Sequence, residues 1–210
     1  MKLLHVDSSI QGTNSASRLV TAAIVAKLQR VIPNLDIHYR DLVAMPMPHL
    51  TLAHLPHDHP LSRVDALLDH DGSAQLISKQ VLDEFLQSDV VVIGVPMYNF
   101  SIPSQLKAWI DRIVIPGRTF HYAEGRAQGL VGDKRVILAV TRGGSYEPPA
   151  LTAAFEYAQS YLRSIFTFIG ISHPVVIVAE GLQLGAETRA AALDRAIASV
   201  DSIIDASIAA

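Results

Sequence analysis

At 210 residues, with half of them hydrophobic and a formal net charge of −3, the chain is long enough to bury one substantial core, and a single domain over residues 1–210 is expected. A weakly negative chain with no run of Lys and Arg offers no field for a phosphate backbone, which argues against a nucleic-acid partner. There are no cysteines. This removes disulfides, iron–sulfur clusters and thiol chemistry together, so redox chemistry would need an organic cofactor.

The first apolar run, Lys2 to Val6, stops at Asp7. No stretch approaches the roughly 20 apolar residues that cross a bilayer, so no membrane partner is expected and the protein is placed in the cytoplasm. A hydroxyl-rich loop, Asp7 to Ser17, leads into a helical stripe of Leu19, Val20, Ala23, Ile24, Leu28 and Val31, which Pro33 ends. Leu35 to Tyr39 alternates apolar and polar residues and reads as an edge strand.

Met45 to His70 breaks the pattern with Pro46, Pro48, Pro56, Pro60 and scattered histidines. It reads as a long surface excursion, a lid or an interface piece. His54, His57 and His59 could suggest a metal, but a proline-broken loop does not fix ligands as a metal site requires, and no metal is expected.

A second helical stripe carries Leu76, Ile77, Val81, Phe85 and Leu86, followed by the strand Val90 to Val95. A third helix begins near Pro103 and includes Leu106, Trp109, Ile110 and Ile113. Pro116 to Asp133, with four glycines around Thr119-Phe120-His121-Tyr122, reads as a short hairpin or extended loop. Val136 to Val140 is a strand, Leu151 to Ile169 one long, largely buried helix, Val175 to Val178 a strand and Ala186 to Ile208 a closing helix. The aromatics Trp109, Phe155 and Phe168 sit at helical spacings and read as core.

Four of the five strands are apolar without alternation, as expected where helices cover both faces of a sheet. Strands alternating with helices give right-handed βαβ units, and five of them suit an α/β, flavodoxin-like doubly wound five-stranded parallel sheet of order 2-1-3-4-5. Ligands of such sheets bind beyond the carboxyl ends of the strands.

Three loops lie there. Ser9 to Ser17 sets hydroxyls beside a helix N-terminus, where free N–H groups and the positive dipole end favour a phosphate dianion. Its spacing is neither a Walker loop nor a dinucleotide fingerprint, and Ser15 alone could be no more than an N-cap. Pro96-Met97-Tyr98-Asn99-Phe100 exposes apolar side chains that either cap the core under the excursion or meet something flat such as an isoalloxazine. Thr141-Arg142-Gly143-Gly144 can present adjacent N–H groups to a carbonyl or a developing anion, although a Gly-Gly pair is also an ordinary turn. Together the three point to FMN.

These loops, with Thr119 to Tyr122, Phe168-Ile169-Gly170-Ile171 and Ala179-Glu180-Gly181, resemble the FMN-dependent NADH azoreductases of the flavodoxin-like quinone reductase superfamily over nearly the whole chain. The string from Pro96 to Phe100 followed by Gln105-Leu106-Lys107 is the most specific part. The resemblance implies a homodimer with one FMN per subunit that uses NADH to reduce quinones and azo compounds by two-electron steps. It implies that Ser9, Ser15, Ala16 and Ser17 hold the phosphate, that Met97, Tyr98, Asn99 and Phe100 line the ring, and that Thr141, Arg142, Gly143 and Gly144 hold its polar edge.

It also implies that Tyr122 enters the substrate cavity. Tyr146 stands where the family pattern has a histidine, and Ile165 where it has an aromatic. Tyr122 and Tyr146 are thus the candidate substrate-pocket residues, expected to set acceptor preference. A flavodoxin-like electron carrier is the alternative reading, although it would not need the excursion and hairpin.

Overall fold

The computed structural model describes residues 1–56, 59, 61 and 73–209. His57 and His70 lie outside that set. The elements run β1 (Lys2–Asp7), α1 (Ala16–Val31), β2 (Asp36–Asp41), α2 (Ser73–Gln87), β3 (Val90–Pro96), α3 (Ser104–Ile113), β4 (Phe120–Ala123), β5 (Arg126–Gly129), β6 (Arg135–Thr141), α4 (Ala158–Phe168), β7 (Val175–Ala179) and α5 (Ala186–Ala209). The five parallel strands lie in the order β2-β1-β3-β6-β7. This is the expected 2-1-3-4-5 order, because β4 and β5 form a separate antiparallel hairpin between β3 and β6.

Side chains of a strand alternate between faces, and here each face meets its own layer of helices. Leu3, Val90, Val92, Ile137 and Ala139 pack with Val20, Ile24 and Leu28 of α1 and Val200 and Ile204 of α5. Leu4, Val91, Ile93, Val95 and Leu138 face Phe85 of α2, Leu106 and Trp109 of α3, and Phe166 of α4. Every residue of the central strand β3 is buried, which explains its unbroken apolar run. β2 pairs with β1 as an edge strand; of its polar residues Asp36 and His38 are exposed, while Arg40 is buried against Glu84 of α2. Trp109 is core, set edge-on to Phe85 with ring centres 5.9 Å apart.

The long helix expected over Leu151 to Ile169 is not one element. A 3-10 turn at Leu151–Phe155 precedes α4, which begins only at Ala158. Glu156 causes the break: its carboxylate accepts from the backbone N–H groups of Gln159 (2.8 Å) and Ser160 (3.1 Å), capping a new helix start. The segment before α4 is not buried either, since Leu151 is 95 % exposed. Phe155 is therefore not core. Its half-exposed ring lies 5.5 Å from that of Phe100.

The hairpin rests on the far end of α4. Phe120 is buried against Phe168, with ring centres 4.6 Å apart. Gly129 lies so close to the turn after α4 that a Cβ there would come within 2.1 Å of the Gly170 nitrogen. Gly170 itself has φ +109°, outside the range of ordinary L residues. The described part of the excursion is tied to α3 by Arg112, whose Nη2 donates to the Pro48 carbonyl at 2.8 Å.

Candidate functional site

β1 ends on Asp7, whose buried carboxylate accepts from Thr21 Oγ1 (3.0 Å) and Tyr39 OH (3.1 Å). Gly94, opposite it in β3, leaves the room: a Cβ there would lie 2.5 Å from Asp7 Oδ1. Burial, then the Asp7 charge, pushes the Tyr39 phenol up to about 12, which keeps it a neutral donor. Asp7 is therefore committed to its own network beneath the loop.

Above it, Ser9, Ser15, Ala16 and Ser17 are all buried at the start of α1. Ser15 is the N-cap, accepting from the Arg18 N–H at 3.3 Å, and its Oγ also lies 3.1 Å from that of Ser17. The N–H groups of Ala16 and Ser17 have no acceptor among the described residues. Capping and anion binding are thus compatible here, because the cap uses one donor and leaves others at the positive end of the helix. Arg18 is spent elsewhere: its guanidinium grips Asp41 at 2.8 and 2.9 Å and donates to the Ser9 carbonyl at 3.1 Å. That grip holds the Asp41 carboxyl below its ordinary value.

After β3 the chain turns back within two residues. Tyr98 and Ser101 exchange both backbone hydrogen bonds (2.9 and 3.1 Å) across Asn99 and Phe100. The turn residues have φ +48° and +69°. This is the pattern of a type I′ turn, which favours Asn then Gly, whereas here the second position holds phenylalanine. A left-handed non-glycine residue costs about 1–2 kcal/mol, and the Phe100 ring is nevertheless 46 % exposed. Strain spent on displaying an aromatic surface marks a contact site. The Tyr98 hydroxyl ties this turn to the first loop, 3.2 Å from Ser9 Oγ, and accepts from the Ile10 N–H at 3.3 Å.

After β6, Thr141 is buried and Arg142 turns away from solvent into a polar box. Its guanidinium donates to Gln159 Oε1 (2.7 Å) and pairs with Glu180 (3.4 Å) and Glu156 (3.5 Å). Glu180 also accepts from Ser145 Oγ (2.8 Å) and the Tyr146 N–H (3.0 Å). The carbonyls of Arg142, Gly143 and Gly144 accept from Leu182, Gln183 and Gly181, while the N–H groups of Gly143 and Gly144 have no acceptor among the described residues. The Arg142 side chain is a strut, and the glycine backbone is what faces outward.

The second and third loops enclose a cleft of about 1070 Å³ lined by Met97, Tyr98, Asn99, Phe100, Gly143, Gly144 and Tyr146. That is the upper end of what a single small ligand fills, leaving room for a tricyclic ring and a second planar molecule. Tyr146 lies edge-on to Phe100 at 6.4 Å. Ile10, Gln105, Lys107, Tyr161 and Gln183 also line the cleft and were not singled out from sequence as site residues, although Gln105 and Lys107 fall within the motif downstream of Phe100. Tyr122 does not line it. It stands 72 % exposed on the hairpin, against Phe120. Ile165 borders a neighbouring apolar groove instead. Among the described residues, no group of three or more His, Asp or Glu could hold a metal, and no helix is long and apolar enough to cross a membrane.

A family model described as "Flavodoxin-like fold" matches residues 1–204. The chain is 52 % identical over 206 residues to a protein of Xanthomonas campestris pv. campestris named FMN-dependent NADH:quinone oxidoreductase, covering 97 % of this chain and 99 % of the relative. A protein of the same name from Methylorubrum populi is 52 % identical over 197 residues, covering 94 % and 96 %. Among solved structures, an FMN-dependent NADH-azoreductase of Bacillus anthracis in complex with FMN superposes with a TM-score of 0.84 at 25 % identity, over 96 % of this chain and 97 % of that one.

Proposed function

This chain belongs to the family described as having a flavodoxin-like fold, and from that premise we propose that it is a cytoplasmic, homodimeric FMN-dependent NADH:quinone oxidoreductase that also reductively cleaves azo compounds. The observation that carries the reading is the convergence of three loops. A helix N-terminus with buried serines, a strained turn displaying Phe100 and an uncommitted glycine N–H pair lie at the carboxyl ends of β1, β3 and β6.

These residues fit FMN. Ser9, Ser15, Ser17 and the N–H groups of Ala16 and Ser17 would hold the phosphate, Met97 to Phe100 would line the ring, and Gly143 and Gly144 would donate to its polar edge. A bound FMN would supply the two-electron chemistry between NADH and the acceptor.

The protein's own part is position and electrostatics. Tyr98 couples the phosphate loop to the ring-lining turn, so that both ends of one ligand are fixed by a single hydroxyl. Arg142, held by Glu180 and Glu156, sets the backbone course of Gly143 and Gly144. Phe100 and Tyr146 present apolar faces over which NADH and then the acceptor lie in turn, which makes the kinetics ping-pong. Tyr122 lies outside the cleft of its own chain, and in the proposed homodimer a second copy would bring it to one. This placement supports the homodimer.

Anaerobic titration of the purified protein with NADH, then with a quinone, tests the reading. Bleaching and recovery of the flavin bands support it, whereas a colourless protein, or bands that NADH leaves unchanged, overturns it. Parallel initial-rate lines with varied NADH and quinone support the alternating order, and intersecting lines refute it.

A further inference from the structure

Two side chains bracket the glycine pair after β6. Neither Gly143 nor Gly144 is among the residues of positive φ, so the backbone course alone does not call for glycine there. At Gly143 the space is taken by Gln183: a Cβ would lie 2.8 Å from its amide carbon and 2.9 Å from its Oε1. At Gly144 the ring of Tyr146 lies in ordinary contact, its hydroxyl 3.9 Å from the corresponding point. A side chain at position 143 would therefore drive the Gln183 amide out of its place.

That place is fixed by the backbone. Gly181, Leu182 and Gln183 donate their N–H groups to the carbonyls of Gly144, Arg142 and Gly143 at 2.9, 3.1 and 2.9 Å, which lays the turn after β7 alongside the turn after β6. Gln183 lines the ligand cleft with Gly143, Gly144 and Tyr146. Its side-chain amide has no hydrogen-bond partner among the described residues. Three other polar side chains of the cleft are engaged: Lys107 by Asp111, Ser104 by Gln105, and the Tyr98 hydroxyl by Ser9 and Ile10.

We propose that Gln183 is a specificity-determining residue for the acceptor, its amide N–H group donating to a carbonyl oxygen of the quinone. The inference rests on the proposed flavin site, in which the Gly143 and Gly144 N–H groups serve the ring's polar edge and leave the amide to the second planar molecule. Negative charge develops on a quinone oxygen as two electrons arrive, and a donor already in place stabilises it. NADH supplies the electron pair and one hydrogen, water supplies the remaining proton, and the amide gives up neither. A quinone carries its oxygens at the edge of the ring, within reach of an amide on the cleft wall, whereas an azo nitrogen lies between two aryl groups. Gln183 therefore favours quinones over azo compounds.

Gln183→Met keeps the length of the side chain and removes its donors, and because Gln183 is exposed the core is untouched. FMN-loaded wild type and variant are compared in separate half-reactions: bleaching by NADH, then anaerobic reoxidation by 2-methyl-1,4-naphthoquinone or by 4-(dimethylamino)azobenzene. Equilibrium binding of 1-tetralone, an aryl ketone, is read from perturbation of the flavin bands. In the variant the rate constant for the naphthoquinone is expected to fall about fivefold, as for one lost hydrogen bond, and the 1-tetralone Kd to rise by a similar factor. Reoxidation by the azo compound, bleaching by NADH and the FMN Kd should each change by less than about twofold. Equal losses with quinone and azo compound, an equal slowing of bleaching, or an equal weakening of FMN binding overturns the proposal. Absence of flavin bands from the wild type overturns the flavin reading and this inference with it, whereas unchanged quinone kinetics and 1-tetralone binding in a yellow variant overturn this inference alone.

Discussion

The hydroxyl of Tyr98 lies 3.2 Å from Oγ of Ser9, joining the loop after the first strand to the loop after the third. The same oxygen accepts the Ile10 N–H. Tyr98→Phe keeps the ring and removes both contacts, each worth about 1 kcal/mol net. FMN affinity is expected to fall roughly five- to tenfold, with little change in the fold. Titration of apoprotein followed by flavin fluorescence measures it, and an unchanged Kd would show that the two loops bind independently.

Phe100→Gly separates strain from contact. Glycine relieves about 1 kcal/mol at the left-handed position, and loss of the ring contacts to Phe155 and Tyr146 costs about 0.5–1.5 kcal/mol for each pair. The net loss is then about 1 kcal/mol, so the urea midpoint should fall only modestly while the KM for a quinone rises several-fold. A destabilisation as large as that of a core deletion, about 3 kcal/mol or more, would mean that Phe100 is structural.

Glu180→Gln preserves shape and removes charge from a carboxylate that receives Arg142, Ser145 and the Tyr146 N–H. Because Glu180 is partly solvated and Glu156 also pairs with Arg142, the expected loss is about 2 kcal/mol rather than that of a fully buried pair broken outright. Thermal and urea unfolding of the apoprotein read this directly. Acceptor kcat should fall as well, since Tyr146 loses its anchor.

Acid should loosen the phosphate loop through Asp41. Arg18, its main partner, lowers the Asp41 pKa from the ordinary 3.8. The carboxylate's stabilisation is therefore present above pH 3.8 and is lost as pH falls through the lower folded value. Arg18 also holds the Ser9 carbonyl, so FMN release should accompany this loss. In Asp41→Asn the stability curve should be flatter below about pH 4. A variant whose acid limb matches that of the wild type would remove Asp41 from the account.

What was legible in the sequence came from local pattern. β3 announced itself because a doubly covered strand has no polar face, and Ser15 because a helix start needs an acceptor. The break before α4 was hidden: Phe155, Ala158 and Leu162 keep a helical spacing through it, and the cause is the Glu156 side chain folding forward onto Gln159 and Ser160. The position of Arg142 at the end of β6 was legible, and the direction of its side chain was not. That direction is set by Glu180, 38 residues away, which no periodicity reports. Tyr122 likewise follows from where its hairpin docks, a non-local fact.

That docking has a mechanical consequence. At Gly129 and Gly170 no side chain separates the two backbones, the Phe120 ring is clamped on Phe168 beside them, and the Val131 N–H is pinned to the Ile169 carbonyl at 3.1 Å. The hairpin is a fixed post that stands Tyr122 at a constant height. Gating of the ligand cleft then falls to other parts of the chain, and a bulky graft at position 129 would tilt the post before it disturbed the sheet.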